Sequence, residues 1–490
     1  MAGLLSCLFY FTGICAFSQE GQKQIKEKQW EFDNELIQAY NLALQFDFEK
    51  SRIITEKYPD NFGAVYLQHL NDAIQLFLTE DEQEFAKFEQ LTDERVSLIS
   101  NGPDNPYKLF YLSEMKLHQT FLQLKFGEEL SAAWSFRQSY RATQRNIDSY
   151  PDFALNNKIN GIQQIIIGSA PQKHQWLLRL LGFEGSVDEG LSKLEKFSKN
   201  ASLWKLENDV ATTFIYSHMM QNSKKSMEII GNYENLITSH RLINFTFVSV
   251  LSKFSRSEEA FHALSSFNAP SSPFPFPFTS YIEGNLLLQR GDYLQAAEQF
   301  ILFYDEYKGL NYLKDACYKT GIAYLLSNRP KEANHWFNLS KNVKIAITEG
   351  DKYANHALNS VLPDNRLIQV RLFTDGGYYE KAEKILEEIQ PENLNNPRDK
   401  IEYDYRYARL FHKTDQTDKA IPFYQNTINL TYTDQWYFAP NASLQLGYIY
   451  IDLEQPEKAK SYFNKCLTYN NHPYQNSIDN KAKAGLSKIK

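Results

Sequence analysis

Arg371, Arg409 and Lys413 are the side chains of this sequence whose types best suit binding chemistry. A guanidinium offers a planar fork of donors to a carboxylate or phosphate, and an ammonium adds a compact charge. The competing expectation is that these cations pair with Asp364, Asp375 and Glu402 and only solubilise the surface they share. Groups for catalysis are harder to find. No Gly-rich phosphate loop, His-Glu-x-x-His helix or Gly-x-Ser-x-Gly elbow occurs. The ten histidines are scattered, and no two stand three or four apart, the spacing that would put two ligands on one helix face. Carboxylates are plentiful, but a helical chain carries solvated Glu on most turns, so an acidic pair identifies nothing by itself. The chain is therefore read as non-catalytic, with no metal site and no cofactor. An active site assembled from distant segments ranks third among the readings.

Charge narrows the partners further. The formal net charge is −7 and the sequence pI about 5.9, against the concentrated basic surface that nucleic-acid binding requires. The Lys-rich end, with Lys481, Lys483, Lys488 and Lys490 beside Asp479, reads as a solvated last helix rather than a nucleic-acid tail. With 43% hydrophobic residues the chain has ample material for a core, and 21 Gly and 17 Pro in 490 residues are few for a turn-rich sheet protein. No stretch alternates at period two for long enough to make a strand.

The elements that must position these cations are helix pairs. Gly321, Tyr324, Asn328, Ala333 and Phe337 are spaced as a small residue, a large one, a turn, a second small residue and an aromatic. Gly447, Tyr450, Pro456, Ala459 and Phe463 repeat the spacing, and so do Gly284, Leu287, Gly291, Ala296 and Phe300. Ala408, Phe411, Ala420 and Tyr424 form a fourth copy; Val370, Gly377, Tyr379, Ala382 and Leu386 form a fifth. The pattern resembles the tetratricopeptide unit of about 34 residues, in which small residues at positions 8 and 20 let two helices touch. Ser226 and Ala260 occupy position 20 in two degenerate upstream copies. Successive position-20 residues are 34 to 39 apart, save one gap of 49 that marks an insertion around Val343 to Pro363, expected as an extended second helix and a loop. The predicted fold is all-α, a right-handed superhelical solenoid of antiparallel helix pairs.

Upstream, Leu36 to Phe46 with Phe48 to Tyr58, Phe62 to Leu78 with Asp81 to Ile99, and Tyr107 to Phe126 with Leu130 to Tyr150 read as three further pairs. Ser271 to Phe278 alternates Pro with Phe and is expected to be a stiff connector whose rings pack on neighbouring repeats. The expected layout is a signal peptide at 1–18, long helix pairs at 19–200, degenerate repeats at 201–270, the connector at 271–279, regular repeats at 280–473 and a capping helix at 474–490.

The signal peptide rests on Leu4 to Phe17, almost continuously apolar, followed by Ala16-Phe-Ser18 as a small-residue cleavage site. No basic residue precedes Lys23. The expectation is export across an inner membrane to the periplasm. Leu4-Leu-Ser-Cys7 resembles a lipoprotein box, so envelope association through a lipid is the lesser reading. No other segment approaches the length of about 20 apolar residues that spans a bilayer. Cys317 and Cys466 fall several repeats apart and are expected to be small core residues without a mutual disulfide.

Two stretches go beyond the generic repeat. Gly161-Ile-Gln-Gln-Ile through Ala170-Pro171, then Trp176 to Gly185 and Glu189-Gly190-Leu191, resembles a signature of the tetratricopeptide repeat protein 39 family, which includes fungal inclusion-body clearance proteins. Leu372 to Tyr379 and Tyr474 to Leu486 continue the resemblance, and the layout is also similar to bacterial secreted tetratricopeptide proteins. The resemblance implies an all-α scaffold with no catalytic residue to carry over.

In such arrays the first helix of each pair lines the concave surface, through positions 2, 5, 9, 12 and 13. The register then gives Tyr281, Asn285, Gln289, Tyr318, Arg371, Tyr405, Arg409, His412, Lys413 and Tyr448 as the candidate groove, with Asp315, Asp364, Asp375, Glu402, Asn441 and Asp452 beside them. The expected function is a scaffold holding a protein or peptide partner in that groove. The alternative is an envelope-associated protein that binds glycan on the same repeats, which exposed rows of Trp or Tyr would favour.

Overall fold

The computed structural model describes residues 29–170, 178, 182–200, 202–267, 274–344, 347–394, 396–431, 436–487 and 489. The signal-peptide reading therefore lies outside the described residues, as does most of the Trp176 to Gly185 stretch. Among the described residues there are α-helices and short 3₁₀ and π turns and no strand. The chain divides into an N-terminal unit, up to Thr246 with Phe267–Phe276, and a C-terminal unit, Phe247–Ser266 with Pro277–Lys490.

The N-terminal unit is built from pairs. Asn34–Leu44 (α1) packs on Phe48–Thr55 (α2), Phe62–Thr79 (α3) on Glu82–Ser100 (α4), and Pro106–Lys125 (α5) on Glu129–Ser149 (α6). Leu155–Gly168 (α7) packs on Val187–Ser198 (α8), and Lys205–Phe214 (α9) on Ser223–Gly231 (α10). Local chemistry sets the helix starts. Asp33, Asp47, Asn61, Asp81, Asn105, Ser186 and Asn222 each accept a backbone N–H of the first turn on their side chain. The core is aromatic: Trp30 stacks on Phe62 at 4.2 Å, Tyr66 on Tyr111 at 4.5 Å, and Trp204 stands edge-on to Phe110 at 5.3 Å.

The signature glycines of the resemblance are places where two helices meet without room for a side chain. A Cβ on Gly190 would lie 2.6 Å from the Gly161 carbonyl, and one on Gly161 would lie 2.7 Å from Leu194. In the connector, Phe274 and Phe276 pack within this unit, against Phe48 at 4.8 Å and Phe46 at 5.6 Å, and the Phe274 carbonyl accepts from Arg241.

The C-terminal unit starts inside Arg241–Lys253 (α11), and Ser257–Ser265 (α12) follows and packs on the next helix. The regular pairs follow: Phe278–Arg290 (α13) with Tyr293–Glu306 (α14), and Leu313–Leu326 (α15) with Pro330–Asn342 (α16). After the single helix Glu349–Leu358 (α17) come Asn365–Gly376 (α18) with Tyr379–Glu388 (α19), Pro397–Lys413 (α20) with Thr417–Leu430 (α21), Phe438–Asp452 (α22) with Pro456–Cys466 (α23), and Gln475–Ser487 (α24). The five repeats turn through residues in the left-handed region, Gly291, Asn328, Gly377, Asp415 and Glu454, and Ser255 does the same between α11 and α12.

The repeat pattern has a direct packing cause. In three pairs the position-8 glycine sits against the aromatic of its own second helix: Gly284 on Phe300, Gly321 on Phe337 and Gly447 on Phe463. Gly321→Ala is expected to cost about 1–3 kcal/mol, because the Phe337 ring must shift within a filled core; chemical denaturation of the two proteins checks it. Cys317 and Cys466 are fully buried, and burial pushes each thiol up to about 12. The insertion differs from expectation. The second helix is not extended: α16 ends at Asn342, where Val343 turns extended, and α17 is a helix of its own. Asp351 of α17 explains its placement. Its carboxylate accepts from the backbone N–H of Tyr312 at 2.7 Å and of Asp315 at 3.0 Å, so the insertion caps the start of α15.

Candidate functional site: the inner helix layer of the C-terminal unit

First helices of the C-terminal unit lie side by side, α13 against α18, α18 against α20, α20 against α22 and α22 against α24. This is the layer that presents the predicted groove positions. Three of its candidates are interior instead. Tyr281, Tyr318 and Tyr405 are buried, because their rings fill the space between neighbouring pairs. The Tyr281 hydroxyl donates to Asp315 Oδ2 at 2.5 Å, and Tyr405 lies 5.4 Å from Phe438. Asn285 and Gln289 are half-buried with partners in hand. Asn285 Oδ1 accepts from Lys319 Nζ at 2.7 Å, and Gln289 Oε1 accepts from Ser257 Oγ at 2.6 Å.

The three cations singled out by sequence separate into two groups. Arg371 donates from Nη1 to the Tyr353 hydroxyl and joins a buried assembly centred on Glu402. Arg398 Nη1 reaches Glu402 Oε2 at 2.6 Å, while Arg406 donates to Glu402 Oε1 from Nε at 3.0 Å and from Nη2 at 2.5 Å. Arg406 Nη2 also reaches the Tyr437 hydroxyl at 3.0 Å. Burial alone would raise the Glu402 carboxyl, but Arg398, Arg406 and Arg371 outweigh it and hold it at about 2. Asp364, an expected partner of the groove cations, pairs with Arg366 at 2.7 Å. Beside the assembly is a cleft whose walls include Tyr353, His356, Arg398, Trp436, Tyr437 and Phe438.

Arg409 and Lys413 stand elsewhere, one turn apart on α20, with Lys253 from the end of α11 and Lys481 from α24. The turn after α11 is pressed on the turn after α18, where the Ser255 carbonyl lies under Gly377, held at φ +87°. That contact brings Lys253 to the level of Asp375. Lys481 is fixed on the other side, its backbone carbonyl accepting from Tyr448 at 3.3 Å. Arg409 Nη1 donates to Gln445 Oε1 at 3.1 Å, and His412 Nδ1 lies 3.2 Å from the Tyr424 hydroxyl. The groups feel one another. Burial and then the charges of Lys253 and Arg409 lower Lys481 to about 8, and burial, Arg409 and Lys413 lower His412 to about 4. Lys413 is likewise lowered by burial and by Arg409. Lys481 therefore stands with these cations and is not only part of a solvated last helix.

Lys253 escaped the sequence reading although the signal was present. Counting back from Ala260 at position 20 places Lys253 at position 13, the same register position as Asp375 and Lys413. Its repeat was too degenerate in its first helix for the groove positions to be carried over.

The family model described as tetratricopeptide repeat matches residues 440–473. Those residues run from near the start of α22 to beyond the end of α23, with Gly447, Phe463 and the groove candidate Tyr448 among them. No curated protein matches the chain. Solved structures similar to it include the tetratricopeptide repeat domain of P58(IPK), 12% identical, with 86% of this chain and 97% of that one covered and a TM-score of 0.22. Yeast Tom70 is 12% identical over 92% and 88% of the two chains, with a TM-score of 0.24. The Cut9 and Hcn1 hetero-tetramer of APC/C is 11% identical over 91% and 95%, also with a TM-score of 0.24.

The N-terminal unit holds a second cluster of titratable groups, one that sequence spacing did not reveal. Glu114, His118 and Glu207 turn ligand atoms toward one another within 4.8 Å. The donor set would suit a cation, but Lys158 already supplies one: its Nζ lies 2.9 Å from Glu114 Oε2 and 2.7 Å from Glu207 Oε1. Tyr40 donates to Glu207 Oε2 at 2.8 Å, and the Trp204 ring lies 5.8 Å from the ammonium. Lys158 and Glu114 are almost wholly inaccessible. The cluster is an ion network that the chain's own lysine already satisfies, with His118 and Glu207 partly accessible at its edge.

Proposed function

We propose that this chain is a non-catalytic helix-repeat scaffold that holds a protein or peptide partner on the inner helix layer of its C-terminal unit, after export to the periplasm. The observation that carries the reading is the set of accessible polar side chains at recurring groove positions, Lys253, Asp375, Arg409 and Lys413, none of which forms an ion pair among the described residues. Lys319, also on a first helix, differs in that it pairs with Asp315 at 2.6 Å. Accessible charged side chains without ion-pair partners, three of them at position 13, on helices of a repeat array are what a recognition surface needs. The tetratricopeptide match over α22 and α23 supports the same class of function.

A photo-activatable amino acid at position 413, compared with one at the outer-helix position 460, tests this in cells. Recovery of a discrete cross-linked protein from 413 but not from 460 is the expected result. Absence of any protein adduct from 413, together with binding on a glycan array, overturns it in favour of the glycan reading. The cleft with Tyr353, Trp436 and Phe438 among its walls is the observation on that side. Export is tested separately. Fractionation is expected to place the chain, cleaved after Ser18, in the periplasm, and an uncleaved cytoplasmic protein removes that part.

A further inference from the structure

The four cations Lys253, Arg409, Lys413 and Lys481 come from three helices that are far apart in sequence, and the packing brings those helices together: the turn after α11 lies on the turn after α18, α18 packs on α20, and α20 and α24 both pack on α22. Among the described residues no carboxylate lies within ion-pair distance of any of them. Asp375 is the acid in their shared field, so the cations outnumber it. The neighbouring arginine assembly shows the contrast, since there Glu402 is bonded by both Arg398 and Arg406. The cluster is accessible: Lys253 and Asp375 are exposed, and Arg409, Lys413 and Lys481 are half-exposed. Gathering four cations around one carboxylate disfavours the folded state, and a bound anion relieves it.

We propose that this cluster binds a polypeptide segment carrying closely spaced negative charges, either successive acidic side chains or a phosphorylated residue. The proposal rests on the scaffold reading above and names the chemistry of its partner. The arrangement is a single compact spot with Tyr448, Tyr379 and His412 around it rather than a basic stripe, on a chain of net charge −7. It therefore fits one or two anionic groups and not a nucleic-acid backbone, which needs charge spread along its path. The lysines supply the surplus charge, and Arg409, held in place by Gln445, adds a fixed cation beside them.

Fluorescence anisotropy of the full chain with a labelled octaglutamate peptide, its glutamine counterpart and a phosphoserine peptide tests the proposal. Octaglutamate or the phosphoserine peptide, but not the glutamine peptide, is expected to bind. Affinity is expected to fall on the order of tenfold or more in the K253Q/K413Q/K481Q variant, the loss of several charge-assisted contacts. The K331Q/K460Q/K465Q variant has the same net charge change on outer helices and is expected to bind like the parent. The relative affinity of the two anionic peptides identifies the source of the charge. Thermal unfolding guards against misfolding, and the inner variant is expected to melt no lower than the parent because like-charge repulsion is removed. Equal binding by the two triple variants, or no binding of either anionic peptide, overturns the proposal. Inorganic pyrophosphate bound as tightly as the peptides, in the absence of any peptide preference, also overturns it. A cross-linked partner from position 413 with no anionic-peptide binding would leave the scaffold standing and remove only this assignment.

Discussion

Lys158→Ala is expected to destabilise the N-terminal unit by about 3–5 kcal/mol, a large share of what holds an ordinary domain together. The ammonium lies between Glu114 and Glu207 with almost no access to water. Burial by itself would lower its pKa, but the two carboxylates outweigh burial and raise it, so Lys158 stays charged at all ordinary pH. Removing it leaves the buried Glu114 facing the partly buried Glu207, and the pair is relieved only if one takes up a proton. Urea denaturation followed by tryptophan fluorescence checks this, since Trp204 stands beside the ammonium. The triple variant K158M/E114Q/E207Q is expected to recover much of the loss, because the penalty belongs to unpaired charge rather than to missing attraction. A single variant as stable as the parent would show that water reaches the site.

Glu402→Gln is the counterpart in the C-terminal unit, expected to cost about 3 kcal/mol at neutral pH and to have a pH signature. The carboxyl is held at about 2 in the folded protein against 4.5 in its ordinary state, and about 2.5 units correspond to about 3 kcal/mol. A folded pKa below the unfolded one means the stabilisation is complete above pH 4.5 and is lost as pH falls toward 2. The stability difference between parent and variant should therefore be constant from pH 7 to 5 and narrow below about 4.5. A difference that does not change between pH 6 and 3 would mean that Glu402 is not the counter-charge of Arg398 and Arg406. Lys419→Ala, at an exposed site over the Phe411 ring, is expected to change stability by less than about 0.5 kcal/mol under the same conditions.

The helix pairs were legible because each rests on a short-range rule. Gly321 and Phe337, or Gly447 and Phe463, are spaced within one unit, and the reason for that spacing is a contact inside the unit. The groove was legible in register but not in burial. Tyr281, Tyr318 and Tyr405 hold groove positions, yet their rings serve packing between pairs, which no single repeat discloses. Arg371 and Arg409 occupy equivalent positions and have different fates, because the insertion helix α17 brings Tyr353 to Arg371 and brings nothing comparable to Arg409. Lys158 with its two glutamates drew no notice because the partners come from α5, α7 and α9 and no spacing rule connects them. The insertion was legible as extra length, but its conversion into a cap for α15 depends on Asp351 meeting backbone far upstream.

The contact of Ser255 with Gly377, together with α13 lying against α18, bears on how the C-terminal unit comes apart. In a strictly linear array each pair touches only its neighbours, and the ends can fray while the middle persists. Here a pair near the start is fastened to one well beyond its successor, and Lys381 adds a bond back to the Arg290 carbonyl at 2.9 Å. Loss of either partner exposes the other. Amide hydrogens of α12, α13 and α18 should therefore exchange together through one common opening. Removing α11 and α12 should likewise loosen α18 and α19 while sparing α22 and α23, so the piece that can be trimmed without wider damage lies at the far end of this unit.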